Sequence, residues 1–214
     1  MAVFGPQMWY VIHYTCKHYT DATTQAQRQL RAAQLNVFLS HLRVLLPCPV
    51  CRDHLNKKNW IDYASYAKNG QMFMWSFCLH NKVNEMLDRT YSFRVVKDLY
   101  DDLASFEANF KSVMMSIAAD VLQRHDYATM ASVFNNFLLA CVALTRDKDM
   151  YDFLRRQTPT SNTVVWCKTV LNILYGSNTP TTINVKQTVD DHKLDCSTCK
   201  TMKDYRSNNH VFIT

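Results

Sequence analysis

Glycine and proline are scarce in this chain, with three glycines and five prolines among 214 residues. Folds rich in β-structure need many tight turns, and these two residues are the ones that most often make them. A phosphate-binding loop also needs several glycines close together, whereas Gly5, Gly70 and Gly176 lie far apart. The sequence therefore excludes most Rossmann, P-loop and β-sandwich folds and favours a helical protein.

Charge and hydropathy exclude several classes of function. Hydrophobic residues make up 48% of the chain and charged residues 20%, which is typical of a folded protein. The formal net charge of +6 arises without a basic block, so we expect no nucleic-acid partner. Residues 1–14 have no basic leader, and His13 interrupts them, so we expect no secretory signal peptide and an intracellular location. We also expect no apolar stretch long enough to span a membrane.

Apolar periodicity predicts helices along most of the chain. The predicted helices cover residues 24–46, 49–54, 60–68, 72–87, 99–124, 127–144 and 163–175. Residues 1–90 are therefore expected to form a compact bundle of four or five helices, and residues 91–175 an additional helical domain. Residues 176–214 are polar and lack periodicity, which predicts a flexible tail.

Eight cysteines include two CxxC pairs, Cys48 with Cys51 and Cys196 with Cys199. In a reducing compartment such pairs are usually redox-active or metal-binding. Pro49 suits the first turn of a helix, so the first pair is expected at a helix N-terminus, where the helix dipole and unpaired N–H groups favour a thiolate. This position favours thiol–disulfide exchange. The alternative is a structural disulfide or two reduced thiols, and a thioredoxin-type CPxC is disfavoured because a long helix precedes the motif.

Two further motifs carry polar and aromatic side chains at helical spacing. Trp9 and His13 are four residues apart, as are His80 and Asn84, so each pair shares one helix face. An isoalloxazine or an adenine ring is bound by aromatic stacking and by hydrogen bonds within an apolar environment. Taken singly, each motif is more often a core tryptophan with a satisfied histidine, or a helix cap.

Three motifs in this order, GxxxWxxxH, CxxC after a long helix and HNxVNxxL, span roughly residues 4–90. The chain thereby resembles the FAD-linked sulfhydryl oxidases of the Erv and augmenter-of-liver-regeneration family. The details "GPxxW", "CRDH" and "FCLHNKVN" look most like the branch encoded by large DNA viruses. The resemblance implies an all-α, Erv-type four- or five-helix bundle, a homodimer, and a location in the host cytoplasm or virion.

The same resemblance implies an activity and a set of site residues. The activity is oxidation of thiols in protein substrates, with FAD as cofactor and oxygen as electron acceptor, giving hydrogen peroxide. Cys51 is implied as the sulfur next to FAD and Cys48 as the one that meets incoming thiols. The implied FAD contacts are Trp9, His13, Tyr19, His80, Asn81, Val83, Asn84 and Arg89.

This sequence departs from the family pattern at two places. Pro6 stands where cellular members usually carry an arginine, and Phe77 where they carry a structural cysteine. Cys78 follows one residue later, and we expect it to be a buried thiol.

The remaining cysteines fall into two groups. Cys16, Cys141 and Cys167 lie among apolar helical residues, so we expect buried, inert thiols. The pair Cys196 and Cys199 lies in the polar tail and could be an electron shuttle to the first pair, a zinc site with His192, or inert.

Two other classes of function stay open at this stage. One is a flavin-free thiol–disulfide exchange protein, and the other is a helical interaction protein with an inert disulfide.

Overall fold

The computed structural model describes residues 4–20, 24–56, 63–85, 90–145, 148–176 and 184–192, and over these ranges the chain forms helices and no strands. The helices are α1 (Phe4–Lys17), α2 (Gln25–Leu45), α3 (Pro49–Asn56), α4 (Tyr63–Lys68), α5 (Met72–Glu85), α6 (Phe93–Val96), α7 (Leu103–Leu122), α8 (Tyr127–Thr145), α9 (Lys148–Arg155), α10 (Thr163–Tyr175) and α11 (Val185–His192). A short 3-10 turn, His18–Thr20, follows α1. The predicted all-α class is confirmed.

Helix α2 begins and ends where its sequence predicts. The Thr24 hydroxyl accepts a hydrogen bond from the Gln27 N–H at 3.2 Å, and the Gln27 amide oxygen accepts one from the Thr24 N–H at 3.0 Å. This reciprocal cap fixes the first turn. At the other end Leu46 adopts an extended conformation, with ψ of 123°, because the ring of Pro47 disfavours a helical residue before it. The chain therefore leaves α2 directly before Cys48.

Helix α7 lies at the centre of the molecule. Its residues Val113, Met114, Ile117, Ala118 and Val121 are all fully buried, and it packs against α1, α8, α10 and α11. One continuous hydrophobic cluster contains residues of these helices together with α2 and α5. The helices after residue 91 therefore complete the core on which the N-terminal helices rest.

Helix α8 is, in the described part of the chain, the one helix long and apolar enough to cross a membrane by length and composition. The expectation that no such stretch exists is wrong, because its 19 residues carry no charged side chain. In the structure α8 packs mainly on α2, and Phe137 stacks on Phe38 with 5.3 Å between ring centroids. Its apolar side chains thus take part in the core of this chain.

Three helices were missed by the sequence analysis, among them the four-residue α6. Helix α9 occupies part of a segment expected to be a break, and α11 lies inside the expected flexible tail. Eight residues carry too few apolar positions for periodicity to be read. A cap signal marks α11, since the Asn184 side chain accepts a hydrogen bond from the Gln187 N–H at 3.0 Å. The rest of the predicted tail, residues 177–183 and 193–214, lies outside the described residues.

We predict that Phe137→Ala lowers the free energy of unfolding by about 3–5 kcal/mol, because it removes a fully buried ring from the α2–α8 contact. Urea denaturation followed by circular dichroism measures the loss. The matched control is Phe153→Ala on α9, whose ring is 46% exposed and whose loss should stay below about 1 kcal/mol. Equal losses for the two variants would contradict the α2–α8 packing.

Candidate redox and cofactor site

Cys48 and Cys51 lie at the junction between α2 and α3. Cys48 is the N-cap residue of α3, since its carbonyl accepts a hydrogen bond from the Arg52 N–H at 3.0 Å. The Cys51 N–H donates to the Cys48 sulfur at 3.4 Å, so this sulfur occupies the place of a capping oxygen. Negative charge on the Cys48 sulfur would be favoured by that N–H group and by the helix dipole. The predicted location of the pair at a helix N-terminus is therefore observed.

The two sulfurs differ in burial. Cys48 is 4% exposed, whereas Cys51 is half-buried and packs against the hydrophobic core. The first cysteine is therefore less accessible to solvent than the second.

A residue just beyond the end of α7 contacts the last turn of α2, next to this junction. The Arg124 guanidinium, just beyond the end of α7, donates to the Val44 carbonyl of α2 at 2.7 Å and to the Asp120 carboxylate at 2.9 Å. Arg124 and Arg52 both favour the ionised form of Asp120, although burial of that carboxyl has the larger effect and raises its pKa. The arrangement ties the last turn of α2, which lies directly before the cysteine pair, to the central helix.

A buried histidine pair joins α1 to α5. His13 Nε2 and His80 Nδ1 are 2.9 Å apart, and His13 Nδ1 is 2.9 Å from the Ser76 hydroxyl. The Ser76 hydroxyl in turn donates to the Phe73 carbonyl at 2.8 Å. The two helices are thus connected by a continuous chain of hydrogen bonds through their polar side chains.

Both rings of this pair are held in the neutral form. Burial, and secondarily the neighbouring His80, lowers the pKa of His13 well below its usual value. Burial also lowers the pKa of His80, to about 4. At neutral pH each ring therefore has one protonated nitrogen, which donates, and one unprotonated nitrogen, which accepts.

Trp9 completes a flat aromatic surface beside the pair. Its ring lies parallel to His80, with 4.0 Å between centroids and an interplanar angle of 8°. That separation leaves no room for a third ring between them, so a planar ligand would stack on an outer face. Trp9 is half-buried, and the neighbouring polar groups are neutral. These features fit the binding of a planar heteroaromatic group.

The asparagines of the HNxVN motif have different environments. The Asn81 side chain donates to the Tyr91 carbonyl at 2.7 Å and accepts from the Tyr91 N–H at 3.1 Å. The Asn81 amide thus links α5 to the backbone at Tyr91, in the segment that follows α5. Asn84 is buried and Val83 half-buried, each on the helix that carries His80.

The other predicted site residues lie apart from the histidine pair or outside the described residues. Tyr19 is buried in the turn after α1, where burial raises its pKa and Arg31 opposes that shift. No ring contact or hydrogen bond in the described ranges joins Tyr19 to the pair. Arg89, Cys196 and Cys199 lie outside the described residues.

Two side chains next to the pair were absent from the sequence prediction. Ser76 is fully buried against His13, and Tyr100 lies over the His13 ring with 4.4 Å between centroids. Ser76 precedes His80 by four residues, so helical spacing alone could have indicated it. No local signal indicates Tyr100, because a separate segment brings it to α1.

That segment is fastened to α1 by an ion pair. The Lys17 ammonium lies 2.7 Å from the Asp101 carboxylate and 5.2 Å from the centre of the Phe73 ring. Residues 91–102 therefore form one wall of the site.

The single cysteines follow the prediction with one exception. Cys16, Cys141 and Cys167 are buried, and burial raises the pKa of each thiol, so they stay protonated and unreactive. Cys78 is half-buried and raises the pKa of Tyr66 beside it. The expectation of a buried Cys78 is therefore wrong, because α4 covers this face of α5 only in part.

No group of three or more histidine, cysteine or acidic side chains suited to a metal ion occurs among the described residues. His192, a ligand in the zinc alternative, is the last residue of α11. Its two cysteine partners lie outside the described ranges.

Comparison with known proteins connects these features. Residues 6–101 match the model of the Erv1/Alr family. Over 94 residues the chain is 29% identical to 096R of Invertebrate iridescent virus 3, assigned as an FAD-linked sulfhydryl oxidase, a match covering 41% of this chain and 57% of that protein. Over 97 residues it is 28% identical to 088R of Frog virus 3 (isolate Goorha), assigned likewise, covering 41% of this chain and 59% of that protein.

The chain thus spans under three fifths of the length of both viral relatives. No solved structure shows a significant match to it.

We predict that stability falls as the pH is lowered from about 7.5 to 5, because the pKa values of His13 and His80 are lower in the folded chain than the usual value. The unfolded chain then binds more protons than the folded chain, so acid favours unfolding. Urea midpoints measured across this range test the sign.

A His13→Asn, His80→Asn double variant should show a shallower slope over the same range. The slope that remains includes His41 and His192, whose pKa values burial also lowers. An unchanged slope would mean that the pair is not buried in neutral form.

Proposed function

Because residues 6–101 match the model of the Erv1/Alr family, we propose that this protein is an FAD-dependent thiol oxidase that makes disulfides in protein substrates. The observation that carries the proposal is a CxxC pair at a helix N-terminus in the same core as a neutral tryptophan–histidine stack. The two viral relatives assigned as FAD-linked sulfhydryl oxidases support it.

The reaction begins with the Cys48–Cys51 pair as a disulfide. A substrate thiolate attacks one sulfur and forms a mixed disulfide, and the other cysteine leaves as a thiolate. The second substrate thiol then attacks the mixed disulfide, which releases the oxidised substrate and leaves both cysteines reduced. Two electrons and two protons have passed from substrate to enzyme.

In the proposed assignment Cys48 receives the attack and Cys51 is the sulfur that faces the cofactor. Since Cys48 is only 4% exposed, attack requires the α2–α3 junction to open when substrate binds. Cys51 is half-buried and so more exposed than Cys48, so the inner role of Cys51 rests on the family resemblance and not on burial.

Trp9, His13, His80 and Asn84 are the residues proposed to hold FAD. The stacked rings supply a flat apolar surface, and the neutral histidines supply hydrogen bonds without bringing a charge into the core. When bound, FAD supplies two-electron acceptance from the reduced cysteines and delivery of those electrons to oxygen. The net reaction is one disulfide and one hydrogen peroxide formed from one dithiol and one oxygen.

We predict that Cys48→Ala and Cys51→Ala each abolish oxygen consumption with dithiothreitol, because either change removes one sulfur of the exchanging disulfide. Both variants should keep the visible absorption of bound FAD, since neither cysteine is among the residues proposed to hold it. An oxygen electrode and an absorption spectrum provide the two measurements.

Cys78→Ala is the matched control, because this half-buried cysteine takes no part in the exchange, and it should keep both activity and FAD. Full turnover in either CxxC variant would refute the dithiol assignment. A colourless wild-type protein that does not take up FAD would leave a flavin-free exchange or interaction protein.

We further propose that Cys196 and Cys199, which lie outside the described residues, carry electrons from bulky substrates to the first pair. A Cys196→Ser, Cys199→Ser double variant should oxidise dithiothreitol at the wild-type rate and a reduced protein substrate more slowly, because a small dithiol reaches the first pair directly. Paired rate measurements test this. Equal loss on both substrates would indicate a structural role, and no loss on either would show the tail pair to be inert.

A further inference from the structure

Ser76 lies at the centre of the polar contacts between α1 and α5. It is fully buried, and its oxygen is 2.9 Å from His13 Nδ1 and 2.8 Å from the Phe73 carbonyl oxygen. A hydroxyl has one proton to donate and two lone pairs to accept with. It can therefore donate to only one of these two neighbours.

The position of the single hydroxyl proton decides the tautomer of His13. Two oxygens 2.8 Å apart need a proton between them, and the Phe73 carbonyl has none to give, so the Ser76 proton points to that carbonyl. Ser76 must then accept from His13, which places the His13 proton on Nδ1. In the neutral ring Nε2 is left as an acceptor.

The tautomer of His80 follows from that of His13. His13 Nε2 lies 2.9 Å from His80 Nδ1, and because Nε2 accepts, His80 Nδ1 must carry the proton. His80 Nε2 is then an unprotonated acceptor, and it is the ring nitrogen that this chain of hydrogen bonds leaves unused.

We propose that Ser76 is a positioning residue, whose hydroxyl fixes both His13 and His80 as Nδ1–H tautomers and so presents His80 Nε2 to a ligand as a hydrogen-bond acceptor. The ligand group that fits is a neutral N–H donor beside the Trp9 stack. FAD has two donors of this kind, the adenine amino group and the flavin imide. The choice of FAD as the ligand rests on the proposed function.

Removing the Ser76 hydroxyl should reverse the direction of the hydrogen bond between His13 and His80. In Ser76→Ala the Nδ1–H of His13 loses its acceptor, so the tautomers protonated on Nε2 become populated in both rings. Nitrogen NMR of histidine-labelled protein distinguishes protonated from unprotonated ring nitrogens, and single His13→Asn and His80→Asn variants assign the signals. The wild-type full chain should show protonated Nδ1 in both rings at neutral pH, and Ser76→Ala should not.

Ser116→Ala is the matched control. Ser116 is a buried helical serine whose hydroxyl has no hydrogen-bond partner among the described residues, so its loss should leave the nitrogen signals unchanged. Ser76→Thr should restore the wild-type signals, because it returns a hydroxyl that can bond the same helical carbonyl. Wild-type tautomers in Ser76→Ala, or the same change in Ser116→Ala, would overturn the inference.

FAD titration supplies a second readout. Ser76→Ala should weaken FAD binding by roughly 5- to 100-fold, since an N–H donor would then face another N–H in a buried site. An analogue of FAD with unsubstituted purine in place of adenine, which lacks the amino group and has no N–H on that edge, separates the two donors: weaker wild-type binding assigns the contact to adenine, and equal binding to the flavin imide. Failure of the wild-type protein to bind FAD would refute the proposed function, while the nitrogen spectra would still test the tautomers.

Discussion

Burial of helix α7 is the constraint on which the rest of the structure depends. A helix that is apolar on nearly every side has to be surrounded, and α1, α8, α10 and α11 surround this one. The helix that carries Trp9 and His13 is thereby seated on the centre of the core. The same central helix reaches the cysteine pair through Arg124, which donates to the Val44 carbonyl. One packing requirement thus supports both parts of the proposed site.

The proposed site combines a position that favours a charged thiolate with one that keeps its side chains neutral. At the α2–α3 junction the Cys48 sulfur accepts an N–H at the start of a helix, an arrangement that favours charge on sulfur. Around His13 and His80 burial has the opposite effect, because it keeps both rings neutral. Exchange chemistry needs a stable thiolate, and recognition of a neutral planar group needs uncharged hydrogen-bonding partners. The two environments lie on different helices, so each can satisfy its own requirement.

The sequence predicted an element well where its signals were local and numerous. Helix α2 has a capping box at Thr24, a long run of helix formers, and Pro47 after its last turn. Helix α11 has only eight residues and one buried side chain, Thr188, so its formation depends on packing against α7 and α10. Residues 91–102 were not expected near the site, because the contacts that place them there join residues distant in sequence, namely the Tyr100–His13 ring contact and the Lys17–Asp101 ion pair.

The sequence by itself determined the all-helical class, the place of the cysteine pair at a helix start, and the helix faces that carry Trp9, His13 and His80. Each of these depends on neighbours within a few residues, where spacing fixes geometry. Only the tertiary structure decided that His13 bonds His80, that Ser76 sets the direction of their protons, and that Tyr100 covers the His13 ring. Those contacts join residues more than 60 positions apart, and the packing of α5 against α1 brings them together, which no local pattern contains.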